Sequence, residues 1–243
     1  MKSSARPMPG RVPSFDRSAA VTRSLIGYGV LAGPFFLAVG IVQGVLRDGF
    51  DFSKHALSHL ANGPGGWVQT ANFGLTGAMV IAAAIGIAHV IRPQSRAFGW
   101  FLGFFGACLL AGAIFRADPI DGFPVDTPPG IGTTMSVSGV MHFASGAMGF
   151  IALAISAFVM ARVMSARGVP GLFRLSVLAG VSVIGGFFAP MFGLQSPVAG
   201  IWFAVVVGWA WLAVISAHLY RAAPSPNCEA THSSSGQSHQ EPD

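Results

Sequence analysis

The chain has 243 residues, of which 52% are hydrophobic and only 9% charged, with a formal net charge of +5 and a mean hydropathy of +0.62. Soluble domains carry roughly a quarter charged residues, so this composition excludes an ordinary soluble domain. The positive charge does not indicate nucleic acid either, because the basic residues stand singly at the ends of apolar runs and form no basic stripe.

Residues 1–24 are polar and basic (Lys2, Arg6, Arg11, Arg17, Arg23) and rich enough in Pro and Ser to be expected unstructured. The run Leu25 to Leu46 is longer than a signal-peptide core and ends without a small-x-small cleavage site, so it is expected to be a membrane helix, bent at Pro34. Further runs follow: Trp67 to Ile91, Phe98 to Phe115, about Val137 to Val163, Leu175 to Leu194 and Val198 to Leu219. Each approaches or exceeds the roughly 20 residues that cross a hydrocarbon core about 30 Å thick. The expected fold is all-α: a six-transmembrane-helix bundle over residues 25–221. The fifth helix, with Gly185, Gly186 and Pro190, is the candidate for irregularity. Residues 222–243 form a low-complexity polar tail, expected disordered.

Topology follows from the loops. Arg92, Arg96, Arg162, Arg167, Arg174 and Arg221 fall on the same side as the basic N-terminal segment, whereas the opposite side holds only Arg47, Lys54 and Arg116. The positive-inside rule places both termini in the cytoplasm of a bacterial cell, with the chain in its cytoplasmic membrane as a multi-pass protein. Trp67 and Trp202 suit the outer interface, while Trp209 and Trp211 lie deeper as packing residues. The spacings Gly40–Gly44 and Gly99–Gly103 are read as helix packing within the bundle. Cys108 sits inside an apolar run and Cys228 in the tail, so a disulfide between them is geometrically implausible.

Polar interest gathers on the outer side. The first outer loop carries Asp51-Phe-Ser-Lys-His55-Ala-Leu-Ser58-His59 and continues to Asn62. Capped by Asp51 or Ser53, a short helix there would set His55, Ser58, His59 and Asn62 on one face. Two histidines at i, i+4 can share one metal ion, and zinc held by His55, His59 and His142 would turn a bound water into a nucleophile at the membrane surface. Asp118 would then act as base or fourth ligand. Ala56 occupies the position of the glutamate in HExxH, so zincin-type proteolysis has no support. Arg116 is placed to pair with Asp118 or Asp121. Against this stands the plainer reading, in which interfacial His and Ser only hydrogen-bond loop backbone.

Three stretches, LSHLANGPGGWVQTANFGLTG (Leu57 to Gly77), FRADPIDGFP (Phe115 to Pro124) and SGVMH (Ser138 to His142), resemble the bacterial integral membrane family called domain of unknown function 998. The resemblance covers roughly residues 25–220 and implies a six-helix membrane fold of no established activity. Its polar positions fall on His55, Ser58, Asp118 and His142. Members often carry a second histidine where this chain has Ser138, a departure that weakens a multi-histidine metal site.

Two functional classes remain open. In one, the chain is a membrane-embedded metal-dependent hydrolase of a lipid or envelope substrate, with catalytic His55, Ser58, Asp118 and His142. In the other it is a non-enzymatic protein that binds or transports a lipid or small molecule. The partners expected are the bilayer and such a molecule, and no nucleic acid. No helix carries Asp, Glu, Lys or Arg at mid-depth, which argues against ion-coupled transport.

Overall fold

The structure, a computed structural model, describes residues 15–130, 132, 134–189, 193 and 197–226. Six helices account for most of it: α1 (Arg17–Leu46), α2 (Gly66–Ile91), α3 (Ala97–Ile114), α4 (Val137–Ala166), α5 (Pro170–Phe188) and α6 (Pro197–Ala222). All six are long and apolar enough to cross a membrane, and no strand occurs among the described residues. The chain is therefore a multi-pass integral membrane protein.

The helices outrun the membrane where a cap allows it. α1 begins at Arg17, inside the segment expected to be unstructured, because Asp16 caps it by accepting bonds from the Ser18 and Ala19 amides at 2.8 and 3.1 Å. At 1.5 Å per residue its 30 residues extend about 45 Å. Pro34 lies inside α1 without ending it. The first part of the tail is ordered too: the Asp16 amide donates to the Pro226 carbonyl at 2.8 Å, and Ala223 is buried. α5 ends at Phe188, short of the expected Leu194; Pro190, Leu194, Gln195 and Ser196 lie outside the described residues, as do Cys228 and the remaining tail.

Each helix packs on its neighbours in sequence and α6 returns to α1, closing a ring. Paired glycines let the backbones touch. A Cβ on Gly77 would meet the Gly106 carbonyl at 2.8 Å, and one on Gly186 would meet the Gly200 carbonyl at 2.6 Å. Gly99 performs the expected helix-packing role, set against the Ala88 side chain of α2. Gly40 and Gly44 do not. Their missing side chains make room for Leu57 and for Phe50 and Phe52, so this part of α1 packs against the first interhelical loop rather than a helix.

That loop and the α3–α4 loop lie at the end of the ring away from Arg17 and Ala222, here called the distal end. They are bonded together. Asn62 Nδ2 donates to the Ala117 carbonyl at 2.8 Å, and the His55 ring to the Asp121 carbonyl at 3.2 Å. Lys54 pairs with Asp121 at 3.7 Å. The Arg47 guanidinium donates to Asn62 O at 2.7 Å and to Leu60 O at 3.4 Å while lying over the Phe123 ring.

Candidate functional site

Beneath this double loop the ring encloses a cavity of about 460 Å3, within the range of roughly 300–1,000 Å3 usual for small-molecule sites. Every helix contributes to its wall. Gly139 and Leu153 of α4 both line it, so it follows that helix for about 21 Å at 1.5 Å per residue. The deep part is apolar, walled by Phe36, Phe105, Cys108, Leu153 and Trp209. The Trp209 ring is fixed between Phe36 and Phe105, 5.6 Å from each centroid. Among the described residues the polar lining gathers towards the distal mouth, with Ser58, His59, Asp118, Thr134, His142 and Ser145.

The first loop forms a short helix that ends at Asn62 as expected, but it starts later and without the expected cap. Asp51 accepts from the Ser53 amide and hydroxyl at 2.8 and 2.7 Å, closing a tight turn instead of capping a helix, and those bonds hold its carboxyl below the usual range. The helical element is a 3-10 turn confined to Leu57–Ala61. His55 precedes it and does not share its face with Ser58 and His59.

His55 is 1% exposed and wholly committed. Its Nδ1 accepts from the Asp51 amide at 2.9 Å, which places the proton on Nε2, donated to the Asp121 carbonyl. Phe50 and Phe123 flank it with centroids at 5.4 and 5.5 Å. It is the pin between the two loops and does not reach the cavity.

His59 is different. Nδ1 accepts from the Ala56 amide at 3.1 Å, so Nε2 carries the hydrogen and has no partner among the described residues. Burial, with smaller contributions from His55 and His142, lowers its pKa to about 4, so the ring is neutral at physiological pH. His142 has the opposite tautomer. Its Nδ1 donates to the Phe115 carbonyl at 2.9 Å, and in an imidazole whose Nδ1 donates the acceptor is Nε2. The cavity mouth therefore holds one imidazole N–H donor and one imidazole nitrogen acceptor.

Asp118 is turned to the start of α4. It accepts from the Ser136 hydroxyl at 2.5 Å and the Ser136 amide at 3.0 Å, and Ser136 Oγ in turn accepts from the Gly139 amide as the helix N-cap. Gly139 is needed here because its backbone lies against the carboxylate. The expected ion pair with Arg116 does not form. Asp121 takes Lys54, and Arg116 is clipped through its backbone, whose amide donates to Ser138 Oγ while its carbonyl accepts from that hydroxyl.

The three-histidine zinc site is not assembled. His55 has no free nitrogen, and among the described residues no three His, Cys, Asp or Glu side chains are grouped to hold a metal. The Ser58 hydroxyl has no hydrogen-bond partner among the described residues, and the nearest histidine in sequence spends Nδ1 on backbone. His59, Ser58, Asp118 and His142 do meet at one cavity; His55 stands behind them.

Sequence reasoning missed the supports. Gln69, Asn72 and Thr76 form a buried polar stripe on α2, with Asn72 Nδ2 donating to the Phe36 carbonyl at 3.0 Å and to Gln69 Oε1 at 3.1 Å. Gln43 Nε2 anchors the first loop through the Leu60 and Gly65 carbonyls at 3.3 and 3.0 Å. A Gln, Asn and Thr spaced along one face of a membrane helix is a signal the sequence does contain. Trp202, expected at the interface, lines the cavity and donates to the His55 carbonyl at 3.4 Å.

Residues 30–218 match the family described as protein of unknown function (DUF998). The chain belongs to that family. The match begins part-way along α1 and stops one turn short of the end of α6, and it takes in every residue that lines the cavity, so the cavity lies wholly within the family region. No curated protein and no solved structure matches the chain.

Proposed function

We propose that this DUF998 protein binds a single-tailed amphiphile taken from the membrane, with its tail in the apolar shaft and its head at the distal mouth. The observation that carries this reading is the cavity itself: a space about 21 Å long inside the helix ring, apolar in depth and polar only at one end. A volume of about 460 Å3 drawn out over that length is narrow, which suits one extended tail better than a compact ligand. The placement of basic residues around the other end supports a distal mouth facing away from the cytoplasm. This class of ligand also explains why the polar groups are few and fixed, since in such sites a small number of placed groups orients an otherwise apolar ligand.

Hydrolysis is the weaker reading. Among the described residues it lacks a base bonded to Ser58 and a set of metal ligands.

The test is native mass spectrometry of protein extracted in mild detergent. The reading predicts one retained or added amphiphile per chain, lost in Gly146→Phe. Gly146 lines the cavity and a Cβ there would meet nothing within 4 Å, so an aromatic ring can fill the shaft without disturbing the backbone. Equal retention by both proteins would defeat the reading.

A further inference from the structure

Resting on that reading, we infer that the head of the bound amphiphile is an uncharged hydroxyl, and that carboxylate and phosphate heads are rejected. Two independent features of the mouth lead there: its hydrogen-bonding pattern and its charge.

The pattern comes from the tautomers. His59 offers Nε2–H because its Nδ1 is taken by the Ala56 amide, and His142 offers a lone pair at Nε2 because its Nδ1–H is taken by the Phe115 carbonyl. A hydroxyl is the smallest head that answers both, accepting from one ring and donating to the other. A carboxylate or a fully ionised phosphate has no hydrogen for His142. An ammonium has none of the lone pairs that His59 needs. A polar site left half-satisfied by the wrong head discriminates strongly, because its own buried groups then stay unpaired.

The charge points the same way. Asp118 is the one acidic or basic side chain, histidines aside, among the described residues that line the cavity. The cations nearest in the loops are already spent: Arg47 on the Leu60 and Asn62 carbonyls, and Lys54 on Asp121. Arg116 is exposed and does not line the cavity. No Lys or Arg occurs between Arg116 and Arg162 or between Arg174 and Arg221, so no further cation is available from the α3–α4 and α5–α6 loops. His59 adds none, since burial keeps it neutral. An anionic head would therefore meet a carboxylate and no compensating charge.

The experiment is a competition by native mass spectrometry at neutral pH between a straight-chain primary alcohol, the amine and the carboxylic acid of the same chain length. The alcohol is expected to outcompete the acid at least tenfold, about 1.4 kcal/mol, and to outcompete the amine. Asp118→Asn should narrow the gap between alcohol and acid by relieving the repulsion. His142→Phe should weaken the alcohol and leave the acid where it was. The same ranking should emerge when the three compounds are compared for protection of Cys108, which lines the shaft, from alkylation in a Cys228→Ser background. Preference for the acid or the amine overturns the hydroxyl assignment while leaving the cavity's role intact. Binding of none of the three, with no adduct and no protection, overturns the cavity's role itself.

Discussion

Gly139→Ala is the sharpest probe of how the mouth is built. A Cβ on Gly139 would lie 2.5 Å from Asp118 Cγ and closer still to Oδ2. Ordinary carbon contacts begin near 3.5 Å, so the carboxylate must retreat by about 1 Å. That displacement breaks its bonds to the Ser136 hydroxyl and amide, and with them the brace on the residue that caps α4. These bonds are solvent-reachable, so the loss is that of an N-cap, about 0.5–2 kcal/mol, and not the full strength of two buried charged bonds. Opposing it, alanine is the better helix former by up to about 1 kcal/mol. The substitution should therefore destabilise the wild-type protein by about 1 kcal/mol. In an Asp118→Ala background, where nothing stands in the way, it should be neutral or stabilising. Thermal unfolding of the four proteins in detergent gives the coupling directly, and the sign of the Gly139 effect should reverse between backgrounds. Equal effects in both would refute the claim that glycine is there to admit the carboxylate.

The other predictions follow from single contacts. His59 is held at about 4 against a reference of 6.5, so its neutral form contributes stability that is fully present above about pH 6.5 and is lost as pH falls towards 4; the loss is at most about 3 kcal/mol, and it should shrink in His59→Gln when unfolding is followed across that window. Gly40→Ala should destabilise the protein because its Cβ would sit 2.7 Å from Leu57 Cδ1, and Leu57→Ala in the same chain should restore part of the loss in a thermal melt. His55→Ala should lower stability by about 1–3 kcal/mol through the orphaned Asp51 amide and Asp121 carbonyl, yet change ligand retention less than His142→Ala does, as read by native mass spectrometry.

The six helices were legible because a spanning segment is set by length and apolar composition, which need no tertiary knowledge. Their ends were less so. Asp16 extends α1 into a polar segment by capping it, and a cap overrides the hydropathy that suggested Leu25. The candidate site was half legible. Ser58, His59, Asp118 and His142 do gather at one mouth, since loops at one end of a bundle of antiparallel neighbours must be close. What the sequence could not convey is which ring nitrogens are already spent. His55 and His59 share a spacing that suggests a metal pair, and only the turn at Asp51 and the 3-10 geometry reveal that His55 faces backbone on both sides. Gly40 and Gly44 mislead for a related reason, because small-residue spacing records a close approach without naming the partner. The shaft was invisible, since Cys108 and Trp209 read as packing residues whether they face a neighbour or a void.

The most direct measurement is photo-crosslinking with a long-chain alcohol bearing a diazirine at the far end of its tail, followed by mapping of the modified residues. Labelling at Phe105, Cys108, Leu153 or Trp209, abolished by Gly146→Phe, is the predicted result. Labelling confined to outward-facing side chains such as Leu31, Val45 and Leu178, and unchanged by that substitution, would contradict it.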